Sequence, residues 1–293
     1  MKRRLPVTLV AVLAVMLVML SACDVVSTAQ PTVEAALDSI IEAATTQAGA
    51  EPTAEPAEAA QPSTAPIHFT YEGEEGPEHW AEHSPACAGS DQSPIDISGA
   101  EPQDLTNLVF NYQPSGITIR NNGHTVQVDY DPGSTLELDG QTYALAQFHF
   151  HAPSEHTIDG QAAAAELHLV HVNDDGQQPV KPKVVVGVLI QVGADNPALS
   201  AVWDNQYAAN ATPQAVDGTV NAADLLPAVQ TRFRYPGSLT TPPCTEGIDW
   251  NVMTEPIEMS QAQLDAFTAL FESHTNRPVQ QLNDRQLALD STP

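Results

Sequence analysis

The sequence predicts a mainly β fold of the α+β class, in which strands dominate and helices are few. Apolar and polar residues alternate with period two in several runs, which is typical of strands with one buried face. Turn-forming Asn, Asp, Pro and Gly residues separate these runs. Residues 67–293, about 225 in number, suffice for one such domain with a full core.

Five alternating runs are predicted as strands: Thr125–Tyr130, Ser134–Leu138, Tyr143–His151, Glu166–Val172 and Val184–Val192. Turn signals border or separate them at Asn121–Gly123, Asp131–Gly133, Asp139–Gly140, Asp159–Gly160 and Asn173–Gly176. One helix is predicted over Ser260–Glu272, because four apolar residues recur there at spacings of three and four, namely Leu264, Phe267, Leu270 and Phe271. Ser260 is a residue type that caps helix N-termini.

Residues 1–23 have the features of an export signal that is not part of the fold. Three basic residues precede a sixteen-residue apolar run, which is shorter than the about 20 residues of a membrane-spanning helix. Cys23 follows Leu-Ser-Ala, which resembles the lipobox of bacterial lipoproteins, where this cysteine carries lipid. The sequence thus predicts an exported protein, lipid-anchored to the outer face of the bacterial cytoplasmic membrane. An ordinary cleaved signal with an unrelated cysteine is the alternative.

Residues 24–66 are predicted to be a disordered linker, because Ala, Glu, Pro, Thr, Ser and Gln dominate and cannot supply a core. The chain has 10 basic and 37 acidic residues, and without Lys2, Arg3 and Arg4 it keeps 7 basic residues and a net charge of about −30. Nucleic acid is not an expected partner, since phosphate binding needs a basic surface. Membrane contact is expected through the lipid only, and the sequence identifies no protein partner.

The three cysteines fit an exported domain. If Cys23 carries lipid, Cys87 and Cys244 remain, and two cysteines in an oxidising compartment most often form a disulfide. Two buried free thiols are the alternative.

Histidines concentrate in the stretch 147–156, which reads QFHFHAPSEH. On a strand, His149 and His151 share one face with Gln147. In AELHLVH at 165–171, His168 shares a face with Glu166 in the same way. If the two strands pair, three imidazoles converge beside a glutamine and a glutamate.

Three neutral imidazoles with an open fourth position form a catalytic zinc pattern. A ligating histidine usually donates its other ring N–H to a carboxylate or carbonyl, and Gln147 and Glu166 are placed to accept such bonds. The pair H-x-H alone is more often a set of ordinary surface or core histidines. A third histidine on a neighbouring strand makes a metal site the favoured interpretation.

Seven stretches, in this order, resemble the α-class carbonic anhydrases over nearly all of residues 67–290: GPEHW at 76–80, QSPID at 92–96, NNGH at 121–124, QFHFH at 147–151, SEH at 154–156, AELHLVH at 165–171 and YPGSLTTPP at 235–243. The resemblance implies a large twisted, mostly antiparallel sheet with short peripheral helices and a metal in a conical cleft. It also implies a zinc lyase that reversibly hydrates carbon dioxide to bicarbonate and a proton.

The resemblance assigns a role to each residue of the site. The zinc ligands are His149, His151 and His168. Zinc-bound hydroxide attacks carbon dioxide, while the Thr240 hydroxyl accepts a hydrogen bond from the hydroxide and donates one to Glu155. His124 then carries the released proton to solvent, which suits a group that titrates near neutral pH.

Two further sets follow from the same resemblance. The apolar substrate pocket consists of Val170, Val185, Leu239 and Trp250, with Thr241 near the bound substrate or product. The waters of the proton path are held by Tyr71, Asn122 and Gln127. Gln127 departs from the asparagine that is commonest at its position in animal enzymes.

Three other functions are less compatible with the sequence. A catalytically inactive relative that only binds would typically lack one or more of the zinc histidines, and all three are present. An adhesion or zinc-scavenging lipoprotein would more typically carry a His-rich acidic loop. A zinc hydrolase of the H-x-H type would add an aspartate and a second metal site on a helix-rich αββα frame. Secondary esterase activity remains compatible with a zinc hydroxide beside an apolar pocket.

Overall fold

The computed structural model describes residues 68–173, 182–203 and 212–292. The predicted signal with Cys23 and the predicted linker 24–66 lie outside these residues, as does most of the turn predicted at 173–176. Within the described ranges, no helix combines the length and the apolar character needed to cross a membrane.

The described residues contain sixteen strands and three short α-helices, so the predicted fold class is confirmed. Their order is α1 (Trp80–His83), β1 (Asp96–Ile97), β2 (Glu101–Pro102), β3 (Val109–Asn111), β4 (Ser115–Asn121), β5 (Val126–Asp129), β6 (Thr135–Leu138), β7 (Gln141–His151), β8 (Thr157–Ile158), β9 (Gln161–Ala162), β10 (Ala165–Val172), β11 (Pro182–Val192), α2 (Pro197–Trp203), β12 (Gln214–Val220), β13 (Arg232–Ser238), β14 (Glu246–Met253), β15 (Ile257–Met259), α3 (Gln261–Thr268) and β16 (Ala288–Asp290). Short 3-10 turns occupy Gly73–Glu75, Pro85–Ala88 and Ala222–Leu225.

One large sheet of thirteen strands organises the molecule. Its main path runs β12-β4-β5-β7-β10-β11-β14-β13-β16-β2, and β3, β6 and β15 pair beside it. Most neighbours are antiparallel, whereas β11 pairs in parallel with β14 and β15, and β16 with β2. The strands β1, β8 and β9 form a separate small sheet. The prediction of a large, mostly antiparallel sheet is therefore confirmed.

All five predicted strands are present as β5, β6, β7, β10 and β11, with ends that differ by at most two residues. The turn between β6 and β7 shows why the turn signals work. Asp139 and Gly140 have φ of 51° and 74°, and two consecutive positive φ values define the hairpin turn that Asp-Gly favours.

Helix α3 begins as predicted and ends earlier than predicted. Ser260 caps it through a capping box with Gln263. The helix ends at Thr268 rather than Glu272, because the Thr268 hydroxyl donates to the Leu264 carbonyl (3.1 Å) and the N–H groups of Leu270 and Phe271 bond three residues back instead of four. Phe271 still packs against the core from the tightened turn.

Strands β7 and β10 separate two apolar clusters. On the far face, Phe148, Phe150 and Leu167 are at most 1% exposed and belong to the main core. Burying each such side chain stabilises the fold by about 1.5–3 kcal/mol. On the near face, Val170 and Trp250 belong to a second cluster. A strand packed on both faces, such as β10, is a rigid support for functional side chains.

The predicted disulfide is confirmed: Cys87 and Cys244 are bonded, with their Cα atoms 4.9 Å apart. The bond joins the turn Pro85–Ala88 to the loop that follows β13, in which Thr240 also lies.

Candidate metal centre

Three imidazoles converge on one face of the sheet at the β7–β10 pair. His149 and His168 are directly opposite each other in the register of these antiparallel strands, and His151 lies two residues from His149 on the same face. One ring nitrogen from each histidine lies within 4.8 Å of the others. The arrangement predicted from strand alternation is therefore present.

Each ring is oriented by an acceptor on its other nitrogen. His149 Nδ1 donates to Gln147 Oε1 (2.8 Å), and His168 Nε2 donates to Glu166 Oε1 (2.9 Å), as the sequence predicts. His151 Nδ1 donates to the main-chain carbonyl of Thr275, a partner that the sequence analysis missed. A carbonyl acceptor has no residue-type signature, so no signal in the sequence could have identified it.

These hydrogen bonds leave His149 Nε2, His151 Nε2 and His168 Nδ1 directed at a common point. His151 Nε2 is buried and has no hydrogen-bond partner among the described residues. Leaving such an atom unpaired costs about 1–3 kcal/mol. A cation bound by three ring nitrogens removes this cost, so the donor set fits a metal ion of the kind that prefers imidazole.

All three histidines are held in the neutral form that binds metals. Burial lowers the pKa of His149 well below its ordinary value, and the other two rings add to the effect. Burial lowers the pKa of His151 to about 4, against the opposing hydrogen bond to Thr275. Burial also lowers the pKa of His168. Metal binding at neutral pH therefore displaces no proton from these rings.

Glu166 is a fully buried carboxylate that accepts four hydrogen bonds. Oε1 accepts from His168 Nε2 and from His156 Nδ1 (2.7 Å), and Oε2 accepts from the N–H groups of Glu155 (2.9 Å) and His156 (2.8 Å). Burial acts to raise the pKa of Glu166, but its contacts with His156 and His168 outweigh burial and hold the pKa well below the ordinary value. His156 continues the network, since its Nε2 lies 2.7 Å from Tyr235 Oη.

Glu155 lies buried beside His151 and His168. Its Oε1 accepts from the Arg277 N–H (2.8 Å), and its Oε2 lies 3.7 Å from His151 Nε2. Burial raises its pKa to about 7, against the opposing contacts with the Arg277 N–H and the Thr240 side chain. Oε2 has no hydrogen-bond partner among the described residues, so this oxygen remains available as an acceptor.

A cleft of about 280 Å³ opens above the rings, and the residues of the predicted pocket and proton path line it together. These residues are Tyr71, Asn122, His124, Gln127, Val170, Val185, Leu239, Thr240, Thr241 and Trp250. Trp250 is fixed as a wall by the hydrogen bond from its Nε1 to the Ser238 carbonyl (2.9 Å). The apolar members of this lining, Val170, Val185, Leu239 and Trp250, belong to one cluster, so the cleft has an apolar wall beside its polar residues.

His124 stands on the polar side, partly exposed. Its ring stacks on Phe69, with centroids 3.9 Å apart and planes at 15°, a contact that the sequence analysis missed. Burial, followed by the charge of His68, lowers the pKa of His124. The Asn122 side-chain oxygen accepts from the N–H groups of His124 and Thr125 (both 2.9 Å), which fixes the turn that carries the histidine.

The fold and this site define a class of enzyme, the α-class carbonic anhydrases. The profile of the eukaryotic-type carbonic anhydrase family matches residues 75–290, so the chain belongs to that family. Members are lyases that act on carbon dioxide and bicarbonate, and this chain is an enzyme of that kind.

Bacterial relatives are similar over most of the chain. A carbonic anhydrase of Nostoc sp. is 44% identical over 229 residues, which cover 75% of this chain and 84% of that protein. A carbonic anhydrase of Neisseria gonorrhoeae is 41% identical over 223 residues, covering 74% of this chain and 86% of that protein. A hyperthermostable carbonic anhydrase from a hydrothermal vent chimney superposes with a TM-score of 0.72 at 42% identity, covering 76% of this chain and 100% of that structure.

Proposed function

We propose that the domain catalyses the zinc-dependent, reversible hydration of carbon dioxide to bicarbonate and a proton. The observation that carries this proposal is the convergence of three neutral, oriented imidazole nitrogens at the floor of a half-apolar cleft. Zn²⁺ suits this donor set, because catalytic zinc sites use three protein ligands and keep a fourth position open. When bound, zinc supplies a nucleophile at neutral pH by lowering the pKa of a water molecule to about 7.

The protein's own residues orient the reactants. The Thr240 oxygen would accept a hydrogen bond from the nucleophile, so that a lone pair of the nucleophile faces the carbon of the substrate, and the Thr240 hydroxyl would donate to Glu155. Carbon dioxide carries no charge and rests against the apolar wall formed by Val170, Val185, Leu239 and Trp250. Thr241 lies near the bound substrate or product.

His124 carries the product proton from the cleft to solvent. Imidazole as a side-chain type titrates near neutral pH, which suits a proton carrier, and burial lowers the pKa of His124, which favours release of the proton. Tyr71, Asn122 and Gln127 hold the intervening waters. The Tyr71 hydroxyl is buried without a protein partner among the described residues, which leaves it available to such a water.

The same cleft supports a second, slower activity. Its open mouth and apolar wall admit an activated ester to the nucleophile, so we propose secondary esterase activity toward small aryl acetates.

The membrane attachment is also a proposal. Residues 1–23 act as a lipoprotein signal, Cys23 carries the lipid, and 24–66 tether the catalytic domain 67–293 on the outer side of the cytoplasmic membrane. Cys23→Ala is expected to release the protein from the membrane fraction. Equal membrane retention of the variant and the parent protein would contradict lipidation.

The function is tested on the full chain by metal analysis and stopped-flow carbon dioxide hydration. We expect one zinc per chain, loss of activity on chelation and recovery with Zn²⁺. His149→Gln should lose both zinc and activity, whereas His79→Gln, which changes an exposed histidine outside the cleft, should keep both. A zinc-loaded parent protein without hydration activity would indicate a binding protein instead.

A further inference from the structure

The cleft contains two side-chain amides whose orientation is fixed by the protein. The first is Asn122, whose Oδ1 accepts two main-chain N–H groups, those of His124 and Thr125, both at 2.9 Å. An amide oxygen has two lone pairs, and both are used here. Asn122 therefore presents its amide nitrogen, a hydrogen-bond donor, to the cleft that it lines.

The second amide, Gln127, is held in the opposite sense. Its Nε2 donates to Asp129 Oδ1 at 2.5 Å. An ionised carboxylate only accepts hydrogen bonds, so the nitrogen of Gln127 must face Asp129. The remaining polar atom, the Gln127 oxygen, is left as an acceptor on the side of the cleft.

Asp129 is itself oriented by a cation. Arg120 Nη2 donates to Asp129 Oδ2 (3.0 Å), so the two carboxylate oxygens have different partners. The sheet register places these groups together, because Gln127 pairs with Arg120 on β4 and with His149 on β7. Arg120 and Asp129 do not line the cleft themselves and can act on it through Gln127.

We propose that Asp129 and Arg120 are positioning residues that keep Gln127 as an acceptor opposite the donor Asn122, and so polarise the water path to His124. The inference rests on the proposed proton path. A water that accepts from Asn122 and donates to Gln127 keeps one hydrogen and one lone pair for its neighbours. Such a water belongs to an ordered chain, whereas a freely flipping amide would let it adopt competing orientations.

The test replaces Asp129 by asparagine, which has the same shape but can both donate and accept. In weak buffer, Asp129→Asn should lower kcat about fivefold, which corresponds to about 1 kcal/mol, and leave kcat/KM for carbon dioxide unchanged. Imidazole added as an external proton acceptor should restore kcat. The matched control is Glu137→Gln, which neutralises an acid that accepts one hydrogen bond from Asn111 outside the cleft.

A double-mutant cycle separates positioning from an independent effect. Gln127→Ala should slow kcat like Asp129→Asn, and Asp129→Asn should add nothing in the Gln127→Ala background. Full additivity, or a parental kcat in Asp129→Asn, would overturn the proposal.

Side-chain amide NMR gives a readout that does not depend on activity. In the parent, the Gln127 amide protons should exchange slowly with water and show the downfield shift of a strong hydrogen bond, and Asp129→Asn should remove both features. Unchanged Gln127 signals would overturn the positioning role. An inactive parent with these signals would instead point to failure of the proposed function.

Discussion

Replacing Glu166 by glutamine should weaken zinc binding by changing the tautomer of His168. The carboxylate accepts four N–H groups in a fully buried position, two on each oxygen. Glutamine converts one of these oxygens to NH2, so two of the four donors then face another donor. The two oxygens differ because the partners of Oε1 are imidazoles, which can change tautomer, whereas the partners of Oε2 are main-chain N–H groups, which cannot lose their hydrogens.

The amide has one low-cost orientation. If its NH2 replaces Oε2, it faces the main-chain N–H groups of Glu155 and His156, which cannot lose their hydrogens, and the clash leaves buried donors unpaired at about 1–3 kcal/mol each. If its NH2 replaces Oε1, it faces two imidazoles that can change tautomer. His168 then accepts at Nε2 and carries its hydrogen on Nδ1, the atom directed at the metal.

We therefore expect Glu166→Gln to weaken zinc affinity about 10- to 100-fold, as loss of a partner of a ligating histidine typically does. This range corresponds to about 1.4–2.7 kcal/mol. Equilibrium competition with a chromophoric chelator measures the affinity, and urea unfolding of the zinc-free proteins measures stability. Glu137→Gln is the control. Parental zinc affinity in a folded Glu166→Gln variant would refute the tautomer argument.

Three other outcomes are expected. His124→Ala should slow carbon dioxide hydration in weak buffer, and added imidazole should restore the rate. Equal rates for the variant and the parent protein at low buffer concentration would contradict the role of His124 as the proton shuttle. Breaking the Cys87–Cys244 bond opens a loop with a sequence separation of 157 residues, for which chain entropy gives up to about 5 kcal/mol, so Cys244→Ser should lower Tm; an unchanged Tm would contradict this. Burial lowers the pKa of His171 to about 3, against about 6.5 unfolded, so between these values the unfolded chain binds the extra proton and stability falls as pH falls. Replacing His171 by phenylalanine should flatten that slope in urea titrations between pH 4 and 7, and an unaltered slope would assign it to other groups.

Local sequence patterns were enough to predict the strands in which the polar and apolar residues follow a regular order. Strands β5, β6, β7 and β10 were predictable because their two faces differ in polarity, whereas β11 was recognisable as a run of β-branched residues that is buried on both faces. Strands β13 and β14 were not identified individually, since Pro236 and Gly237 interrupt one and Gly247 the other. Their strand conformation depends on pairing with distant segments, which no local pattern encodes.

The residues of the candidate site also fall into those that the sequence could predict and those that it could not. The three histidines were predictable because side chains alternate between the two faces of a strand, which places His149, His151 and His168 on one face. The distant residues of the cleft were predicted from the resemblance of sequence motifs. The Thr275 carbonyl was not predictable, because any residue type provides a carbonyl. The stacking of Phe69 on His124 was missed as well, because nothing local relates residues 55 positions apart.

The direct opposition of His149 and His168 across β7 and β10 would make a bound metal ion sensitive to the register of these strands. A one-residue slip would turn every side chain of one strand to the other face, bringing Phe148 and Phe150 into the cleft and dispersing the imidazoles. A chain trapped in that misfolded state offers no three-nitrogen site and gains nothing from the ion. If the proposed zinc binds, it would stabilise only the sheet with the correct register, and zinc scarcity during maturation should lower the yield of native protein as well as its activity.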